Sequence, residues 1–329
     1  MTIYDIAREA GVSISTVSRV LNSPDKVPRR TLEKVQAVIK KYHYTPNAMA
    51  RGLVSNSMNS IGILTSDIRN YLFASTAFTL ETLFFNWGYS TILCNTGDDP
   101  RKKQDYLRSL AEKKVDGVIL LGSTYSDDEL KDSIRKYLPD TPIVMGNGSL
   151  ALSNVHNVTV DHDCGMRLAV QHLSSRGHRD IVLVNTSTTS NAKRKVHGFL
   201  SAMERSGLPA GDASVFQTAF GLEGAYSAVD RILEKRPSCT AIVFVDDNTA
   251  MCGLKRLRER GVSVPEDMAV VGYDDSVFSL YAEPQLTSIN TKNETFSVLM
   301  ANMLQDILTN KEVGNSIIVT PELTVRQST

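Results

Sequence analysis

Apolar residues in the first 45 positions recur at helical spacing between short polar segments. Ser, Thr and Gly stand where these segments begin or end, as is usual at helix caps. The pattern predicts three short helices: Thr2 to Gly11, Ile14 to Leu21 behind a Ser13 cap, and one from about Arg29 with an apolar stripe at Leu32, Val35, Ile39 and Tyr42. So few apolar residues make a small core that is marginal by itself.

Residues 44–60, YTPNAMARGLVSNSMNS, form a connection after the third helix. Pro46 can open a short helix that runs to about Leu53, and the polar SNSMNS that follows is typical of a linker. A helix this short is marginal in water. We therefore expect it to order only when something holds it.

From Ile61 the chain changes to short apolar runs separated by helical stretches such as RKKQDYLRSLAEKK and AYSAVDRILEKR. Such runs, apolar on both faces and alternating with helices, predict buried parallel strands of an α/β sheet. There are too many for one sheet, and the half-chains 61–160 and 161–290 have similar patterns, so two similar lobes are predicted. The runs are SIGILTS, STILCNT, VDGVILLGS, TPIVMGN, DIVLVNTS, CTAIVFVDD and MAVVGYDD.

The charge of the chain is balanced overall but uneven along its length. Residues 1–60 hold nine Lys or Arg and four Asp or Glu, a net charge of +5, and the remainder is at −5. A basic head on an acidic body is typical of a protein with a polyanion partner. Charge alone leaves open the alternative that the head merely has a solvated basic face.

Several classes of protein lack their usual signals in this sequence. No apolar run approaches the roughly 20 residues needed to span a bilayer, and the N-terminus MTIYDIAREAG has early acids and no long apolar core, unlike a signal peptide. We therefore expect a cytoplasmic protein and not an extracytoplasmic solute-binding protein. The four scattered cysteines contain no CxxC pair and predict neither a disulfide framework nor a zinc site.

Enzyme motifs are also absent or incomplete. GNGS (146–149) lacks the lysine and the spacing of a phosphate loop, and DHDC (161–164) has no second ligand cluster that would complete a metal site. No Ser–His–Asp order with a nucleophile elbow is present. We expect no enzyme, no metal and no cofactor.

The stretch GVSISTVSRVLN (11–22) combines small apolar residues with polar ones at helical spacing. Small residues here suit the close crossing of two helices, and the outward Ser, Thr and Arg side chains suit phosphates and base edges in the second helix of a helix-turn-helix. An ordinary capped amphipathic helix remains the alternative from spacing alone.

Spaced motifs resolve this choice. TIYDIAREAGVSISTVSRVLN, TLEKV and YTPNAMARGL, followed in order by SIGIL, VDGVIL, VTVDHDCG, GHRDIVLV, VFVDDNTA, MAVVGYDD and LTSI, resemble the lactose/galactose repressor (LacI/GalR) family over nearly the whole chain. The resemblance implies a helix-turn-helix head (1–45), a hinge helix and linker (46–60) and a periplasmic-binding-protein-like body (61–329) of two doubly wound α/β lobes. The lobes are expected at about 61–160 plus 291–320, and at 161–290.

The resemblance also implies residues that contact double-stranded DNA. Ile14, Ser15 and Arg19 carry most of the base reading, Ala50 approaches the minor-groove floor and Leu53 wedges between base pairs and kinks the duplex. The remaining expected contacts hold phosphates and set the register: Tyr4, Thr16, Ser18, Asn22, Thr31, Tyr44 and Asn47.

The resemblance further implies a small-molecule effector in a cleft between the lobes. Polar residues directly after apolar runs already favour such a cleft, because ligands bind at the carboxyl ends of strands; these are Asn95, Ser123, Asn147, Asp246 and Asp274. The expected effector contacts are Leu72, Phe73, Ser123, Asn147, Asp161, Lys195, Phe220, Asp246 and Asp274. A sugar or sugar derivative suits carboxylates and amides for its hydroxyls and an aromatic side chain for its ring.

One departure from the family pattern concerns Lys195, where many sugar-responsive members have arginine and its planar fork. Lysine there resembles the catabolite control branch, which responds to a phosphorylated carrier protein through basic residues on a late helix. The corresponding stretch LMANMLQDIL (299–308) has no Lys or Arg and contains Asp306. We therefore expect a small molecule, with the carrier-protein mechanism as the alternative.

Together these features predict a homodimeric transcription regulator, expected to be a repressor, that binds a pseudo-palindromic operator. Ligand in the cleft is expected to change the relation of the amino-terminal lobes and so order or free the hinge helices. The chain ends at VRQST without a heptad tail, so we predict a dimer and not a tail-joined tetramer.

Overall fold

The computed structural model describes residues 2–44 and 57–329. The chain divides between Asn59 and Ser60 into two compact units. The smaller unit is a helical head and the larger one an α/β body, and each is described by itself below.

Within residues 2–44 the head contains three α-helices: α1 (Ile3–Ala10), α2 (Ile14–Asn22) and α3 (Arg29–Lys41). A capping box between Thr2 and Asp5 begins α1, and Gly11 ends it with a left-handed φ of 57°. All three helices were predicted from the sequence and are confirmed. Their core consists of small and β-branched residues: Ile6, Ala7, Ala10, Val17, Val20, Val27 and Val35.

Tyr42 departs from the predicted apolar stripe of α3. It lies just beyond the last helical residue and is 38% exposed, and its hydroxyl donates a 2.8 Å hydrogen bond to Glu9 Oε1. The helix ends one residue too early to turn Tyr42 into the core, so its polar tip ties the end of α3 to α1.

The first lobe of the body is built on a six-stranded sheet, entirely parallel. Its strands, in the spatial order β11-β5-β4-β3-β1-β2, are β1 (Ser60–Thr65), β2 (Ser90–Asn95), β3 (Gly117–Leu121), β4 (Ile143–Gly146), β5 (Val155–Val160) and β11 (Ser316–Val319). The helices that cover it are α4 (Tyr71–Asn86), α5 (Pro100–Glu112), α6 (Asp128–Tyr137) and α12 (Asn293–Leu308).

The second lobe repeats this plan with a second six-stranded sheet in the order β12-β10-β9-β8-β6-β7. Its strands are β6 (Ile181–Asn185), β7 (Val215–Gln217), β8 (Ala241–Phe244), β9 (Ala269–Asp274), β10 (Thr287–Asn290) and β12 (Glu322–Thr324). Strand β12 is antiparallel to β10 and the other pairs are parallel. Its helices are α7 (His162–Ser175), α8 (Ser190–Arg205), α9 (Leu222–Lys235), α10 (Asp247–Glu259) and α11 (Val277–Tyr281).

The chain passes between the lobes three times: after β5, after β10 and between β11 and β12. The prediction of two α/β lobes is confirmed, and all seven apolar runs are strands. The strands that the pattern missed are β5, β7, β10, β11 and β12. They are short, or alternate polar with apolar residues, because several lie at or near a sheet edge where one side meets solvent.

Candidate nucleic-acid interface and interlobe cleft

Helix α2 divides its side chains between the head core and solvent. Val17 and Val20 are buried in the core, whereas Ile14 is 40% exposed and Ser15 and Arg19 are exposed. The apolar face thus holds the helix in place and leaves the face expected to read bases uncovered within the head.

Three hydroxyls cluster at the beginning of α2. Ser13 Oγ caps the helix by accepting from Thr16 N at 3.2 Å, and it lies 2.8 Å from both Ser15 Oγ and Thr16 Oγ1. The N-terminus of a helix has unpaired N–H groups and a partial positive charge, which suits a phosphate oxygen.

The other expected DNA contacts are placed less uniformly. Tyr4 on α1 is 68% exposed, whereas Ser18, Thr31 and Tyr44 are partly buried. Outside the described part of the chain lie the side chain of Asn22 and the whole of Asn47, Ala50 and Leu53. The DNA-binding roles of all these residues stay predictions.

Much of the positive charge of the head is not neutralised locally. Arg8, Arg29 and Lys41 pair with acidic side chains. Within residues 2–44, the basic side chains without an acidic partner are Arg19, Lys26, Arg30, Lys34 and Lys40. Unpaired basic groups of this number favour an anionic partner.

Between the lobes of the body lies a cleft of about 340 Å³. Its size falls in the range of sites for small molecules. Two contacts join the lobes. Asn191 N donates to Ser123 Oγ at 3.5 Å, and the ring centroids of Tyr71 and Phe278 lie 5.5 Å apart in an edge-to-face arrangement.

The structure brings eight of the nine expected effector contacts to this one cleft: Leu72, Phe73, Ser123, Asn147, Lys195, Phe220, Asp246 and Asp274. Asp161 is the exception. Its carboxylate caps α7 by accepting from Cys164 N at 2.9 Å, and Asp161 is not among the residues that line the cleft. Asn95 is not there either, since its Oδ1 accepts from Ile68 N.

Lys195 is the cationic group of the cleft. Its Nζ donates to the carbonyl oxygen of Val245 at 2.7 Å and lies 3.6 Å from the centre of the Tyr273 ring. Burial lowers the pKa of Lys195, while Asp274 and Asp246 oppose that shift. The ammonium is thus held against the floor by a carbonyl and an aromatic face.

Carboxylates surround this lysine. Asp246 caps α10 by accepting from Thr249 N at 2.7 Å, and burial raises its pKa. Burial also raises the pKa of Asp274 to about 6, against the attraction of Lys195. Both carboxylates line the cleft, where they can accept hydrogen bonds from ligand hydroxyls.

Asp247 lies behind them and is 2% exposed. It accepts from Ser288 Oγ and Ser276 N, each at 2.6 Å, and from Ser276 Oγ at 2.9 Å. Burial and then repulsion by Asp274 raise its pKa to about 7. No sequence signal singled out Asp247, whereas its neighbour Asp246 was an expected effector contact.

Other polar residues of the cleft were missed by the sequence reasoning. Several of them come just after a strand: Ser66 follows β1, and Thr186 and Ser187 follow β6. Their position at the carboxyl end of a strand was therefore a signal that could have identified them. His162, the second residue after β5, carries the same signal. The remainder do not: Asn70, Asp98, Thr124, Thr189 and Asn191.

The apolar part of the lining comes from Leu72, Phe73 and Phe220, of which Phe220 is 53% exposed. An aromatic face beside carboxylates and amides suits a sugar, which stacks its C–H face and donates its hydroxyls. Among residues 2–44 and 57–329, no group of His, Cys, Asp and Glu side chains could hold a metal ion, and no helix could span a membrane.

A helix-turn-helix head with unpaired basic groups, joined to two α/β lobes around a polar cleft, defines a DNA-binding transcription regulator with a ligand-binding body. The family model "Bacterial regulatory proteins, lacI family" matches residues 2–47, and "Periplasmic binding protein-like domain" matches residues 170–329. The chain is 35% identical over 333 residues to the HTH-type transcriptional repressor PurR of Haemophilus influenzae (strain PittEE), covering 99% of this chain and 98% of that protein. The chain belongs to the lacI family of bacterial regulatory proteins.

Solved structures agree with this assignment. The transcriptional regulator CelR in complex with cellobiose has 29% sequence identity and a TM-score of 0.75, with 100% of both chains covered. The lac repressor dimer bound to operator and the anti-inducer ONPF has 23% identity and a TM-score of 0.89, covering 100% of this chain and 98% of that one. The second similarity concerns the fold.

Proposed function

We propose that the protein is a cytoplasmic repressor that binds a pseudo-palindromic operator as a homodimer and responds to a small carbohydrate. The observation that carries the effector part is the convergence of eight expected contacts, from both lobes, on one cleft. Residues that are spread along the sequence from Leu72 to Asp274 line this one cleft. A ligand that all of them contact would explain why polar and aromatic side chains from both lobes are brought together.

On the DNA side, the proposal rests on the uncovered face of α2. Ile14, Ser15 and Arg19 are exposed beside the hydroxyl cluster at its N-terminus. Arg19 suits guanine through O6 and N7, and Ile14 suits thymine methyl groups. In a dimer, two such heads read two half-sites, and basic groups elsewhere on the head bind phosphates.

The charged residues of the cleft limit which chemical class of effector can bind there. Asp98, Asp246 and Asp274 supply three carboxylates against the single ammonium of Lys195. A phosphate group would meet net repulsion there, so we propose an uncharged sugar. The cellobiose complex of CelR provides a related example of a bound sugar.

The homodimer is supported by exposed apolar side chains on the first lobe. Phe78 and Phe85 are 72% and 71% exposed, and their spacing of seven residues puts them on one face of α4. Leu93, 49% exposed, is on the neighbouring edge strand β2. Large exposed aromatic groups are typical of an interface with another chain, and a second copy is the partner we propose.

Effector and operator are proposed to be coupled through the relation of the two lobes. Contacts from both lobes to one ligand favour the arrangement that brings these contacts together. A coupling of about 1–3 kcal/mol is expected for such a regulator. The hinge residues that transmit it by sequence resemblance, 47–53, lie outside the described residues.

The alternative is a catabolite-control-type regulator switched by a phosphorylated carrier protein. Lys195 favours it by resemblance. The carrier would bind to helix α12, whose residues 299–308 include no basic side chain. Asp306 on this helix pairs with Lys311. The absence of a basic surface on that helix favours the small molecule.

Two variants test the proposal. Arg19→Ala is expected to weaken binding to an operator selected from random DNA by about 1–3 kcal/mol and to relax one base position, as measured by fluorescence anisotropy. Unchanged sequence preference would contradict base reading by Arg19.

The substitution Asp274→Ala tests the cleft. A sugar that raises the melting temperature of the wild-type protein is expected not to raise that of the variant. An equal rise in both proteins would exclude this cleft as the sugar site.

A further inference from the structure

His162 is a buried histidine at the floor of the interlobe cleft. Its side chain is 5% exposed and lines both the cleft and a smaller inner chamber of about 30 Å³. The two spaces share Leu72, Phe73 and Asp274 as lining residues, so the chamber adjoins the cleft. A space of that size admits a single hydroxyl group or one water.

One ring nitrogen of His162 is held and the other is not. Nδ1 lies 2.8 Å from the hydroxyl oxygen of Tyr273. Nε2 is buried and has no hydrogen-bond partner among the described residues. An unpaired buried polar group costs about 1–3 kcal/mol, so it requires an explanation.

The hydrogen-bond partners decide where the proton of the ring lies. In the described residues, the Tyr273 hydroxyl contacts Nδ1 and no other acceptor. If the hydroxyl donates to Nδ1, the proton is on Nε2, and that N–H alone lacks a partner. In the reverse arrangement both the hydroxyl hydrogen and the Nε2 lone pair lack partners, which doubles the cost.

Charge and local packing maintain this arrangement. Burial, together with the nearby Lys195 and Arg194, holds the pKa of His162 well below its ordinary value, so the ring is neutral. Gly165, on the same helix, lacks the Cβ that would lie 2.7 Å from the Tyr273 hydroxyl oxygen. Glycine there lets the tyrosine reach the ring and orient it.

We propose that His162 is an effector-binding residue whose Nε2–H donates to an acceptor oxygen on the ligand. The proposal rests on the sugar effector proposed above and specifies how that sugar is recognised. Its hydroxyls donate to Asp246 and Asp274, and a ring or hydroxyl oxygen accepts from His162. A ligand without an acceptor at that point would leave the N–H unpaired and bind less well.

The first test needs no ligand. Nitrogen-15 NMR of histidine-labelled protein, with the His162 signal assigned from H162Q, is expected to show a neutral ring protonated on Nε2. A ring protonated on Nδ1, or a positively charged ring at neutral pH, would overturn the proposal.

The second test uses a fixed panel of D-glucose, D-galactose, D-ribose and cellobiose, measured by thermal shift and then by calorimetry. The double variant His162→Phe with Tyr273→Phe removes the donor without leaving the tyrosine hydroxyl unpaired. Its affinity for the sugar that binds wild type is expected to fall about tenfold. His162→Gln, whose amide N–H can reach the same point, is expected to retain most of the affinity.

Equal affinity of the wild type and the double variant overturns the role of His162 and leaves the sugar effector standing. If no sugar in the panel stabilises the wild type, the sugar effector and the role of His162 both fail. Circular dichroism and melting of ligand-free variants show whether each one folds.

Discussion

Asp247 is buried with its carboxylate satisfied by Ser276 and Ser288, yet its pKa is raised to about 7. The substitution Asp247→Asn removes the ionisable group and keeps the shape. The amide oxygen can accept from Ser276 N, and the amide N–H can donate to Ser288 Oγ after that hydroxyl rotates. We therefore expect the variant to fold and to lose a specific part of the pH dependence of stability.

The sign follows from the two pKa values of the carboxyl. The folded-state pKa of about 7 lies above the ordinary value of 3.8, so the folded protein keeps a proton that the unfolded chain has lost. The resulting stability is fully present below about pH 4 and is lost as the pH rises through about 7. Between about pH 6 and about pH 8, Asp247 alone lowers the free energy of unfolding by about 1.4 kcal/mol.

The assay is urea unfolding of the body, followed by fluorescence of Trp87 and by circular dichroism at a series of pH values. Wild type is expected to lose stability over this interval, and Asp247→Asn is expected to lose about 1.4 kcal/mol less. Asp274, with a pKa of about 6, contributes a smaller loss in both proteins. The exposed Asp212 provides the control substitution Asp212→Asn.

Identical pH dependence in wild type and Asp247→Asn would refute the reasoning, because it would mean that Asp247 is ionised in the folded protein throughout. An equal reduction in Asp212→Asn would show instead that overall charge sets the effect.

Three further predictions concern other parts of the body. Phe85→Glu is expected to raise the dimer dissociation constant at least about tenfold in analytical ultracentrifugation. The control Ile318→Glu, also at an exposed residue of the first lobe, is expected to leave it unchanged, and equal effects of the two substitutions would contradict the α4 interface. Gly224→Ala would put a Cβ 1.8 Å from the backbone oxygen of Ala219, so it is expected to lower the free energy of unfolding by at least about 3 kcal/mol. Gly314→Ala is the control, because a Cβ there would have no atom within 4 Å beyond its chain neighbours. Lys103 Nζ donates to the carbonyl oxygen of Thr124, a cleft residue, and pairs with Asp127 at 3.3 Å. Lys103→Met is therefore expected to weaken sugar binding in calorimetry while operator affinity without sugar stays constant, and a change in operator affinity alone would contradict this.

The helices of the head could be predicted because their signals are local. Thr2 and Asp5 cap α1 across three residues, and Ser13 caps α2 across the same distance. Gly11 adopts a left-handed conformation that its lack of a side chain makes easy. Such contacts depend on nearby residues alone, so a sequence pattern reports them directly.

Strands were predictable where the chain has a continuous apolar run, which includes the largely exposed edge strand β2, whereas the strands that were missed lie at or next to a sheet edge. Ile318 on β11 is 66% exposed, and β7 and β12 are three residues long. Half-exposed edge strands need fewer apolar residues, so their pattern resembles that of a loop.

For the cleft, position after a strand was enough to select Asp246 and Asp274, but not to interpret Asp161. Asp161 also follows a strand, yet its carboxylate is used by Cys164 N three residues on. Asp246 caps its own helix in the same way and still lines the cleft. Helix capping therefore does not separate the two residues, and what lies opposite each carboxylate decides whether it faces a ligand.

The sequence by itself determined the helical head, seven of the strands, the two-lobed plan and the family, because helical spacing, caps, apolar runs and ordered motifs are properties of neighbouring residues. Only the tertiary structure showed that Asp247, next to the expected contact Asp246, is 2% exposed and accepts hydrogen bonds from Ser276 and Ser288. Only the tertiary structure joined His162 to Tyr273, 111 residues away. Both relations arise within the second lobe, where contacts and burial are set by residues that lie far apart in the sequence.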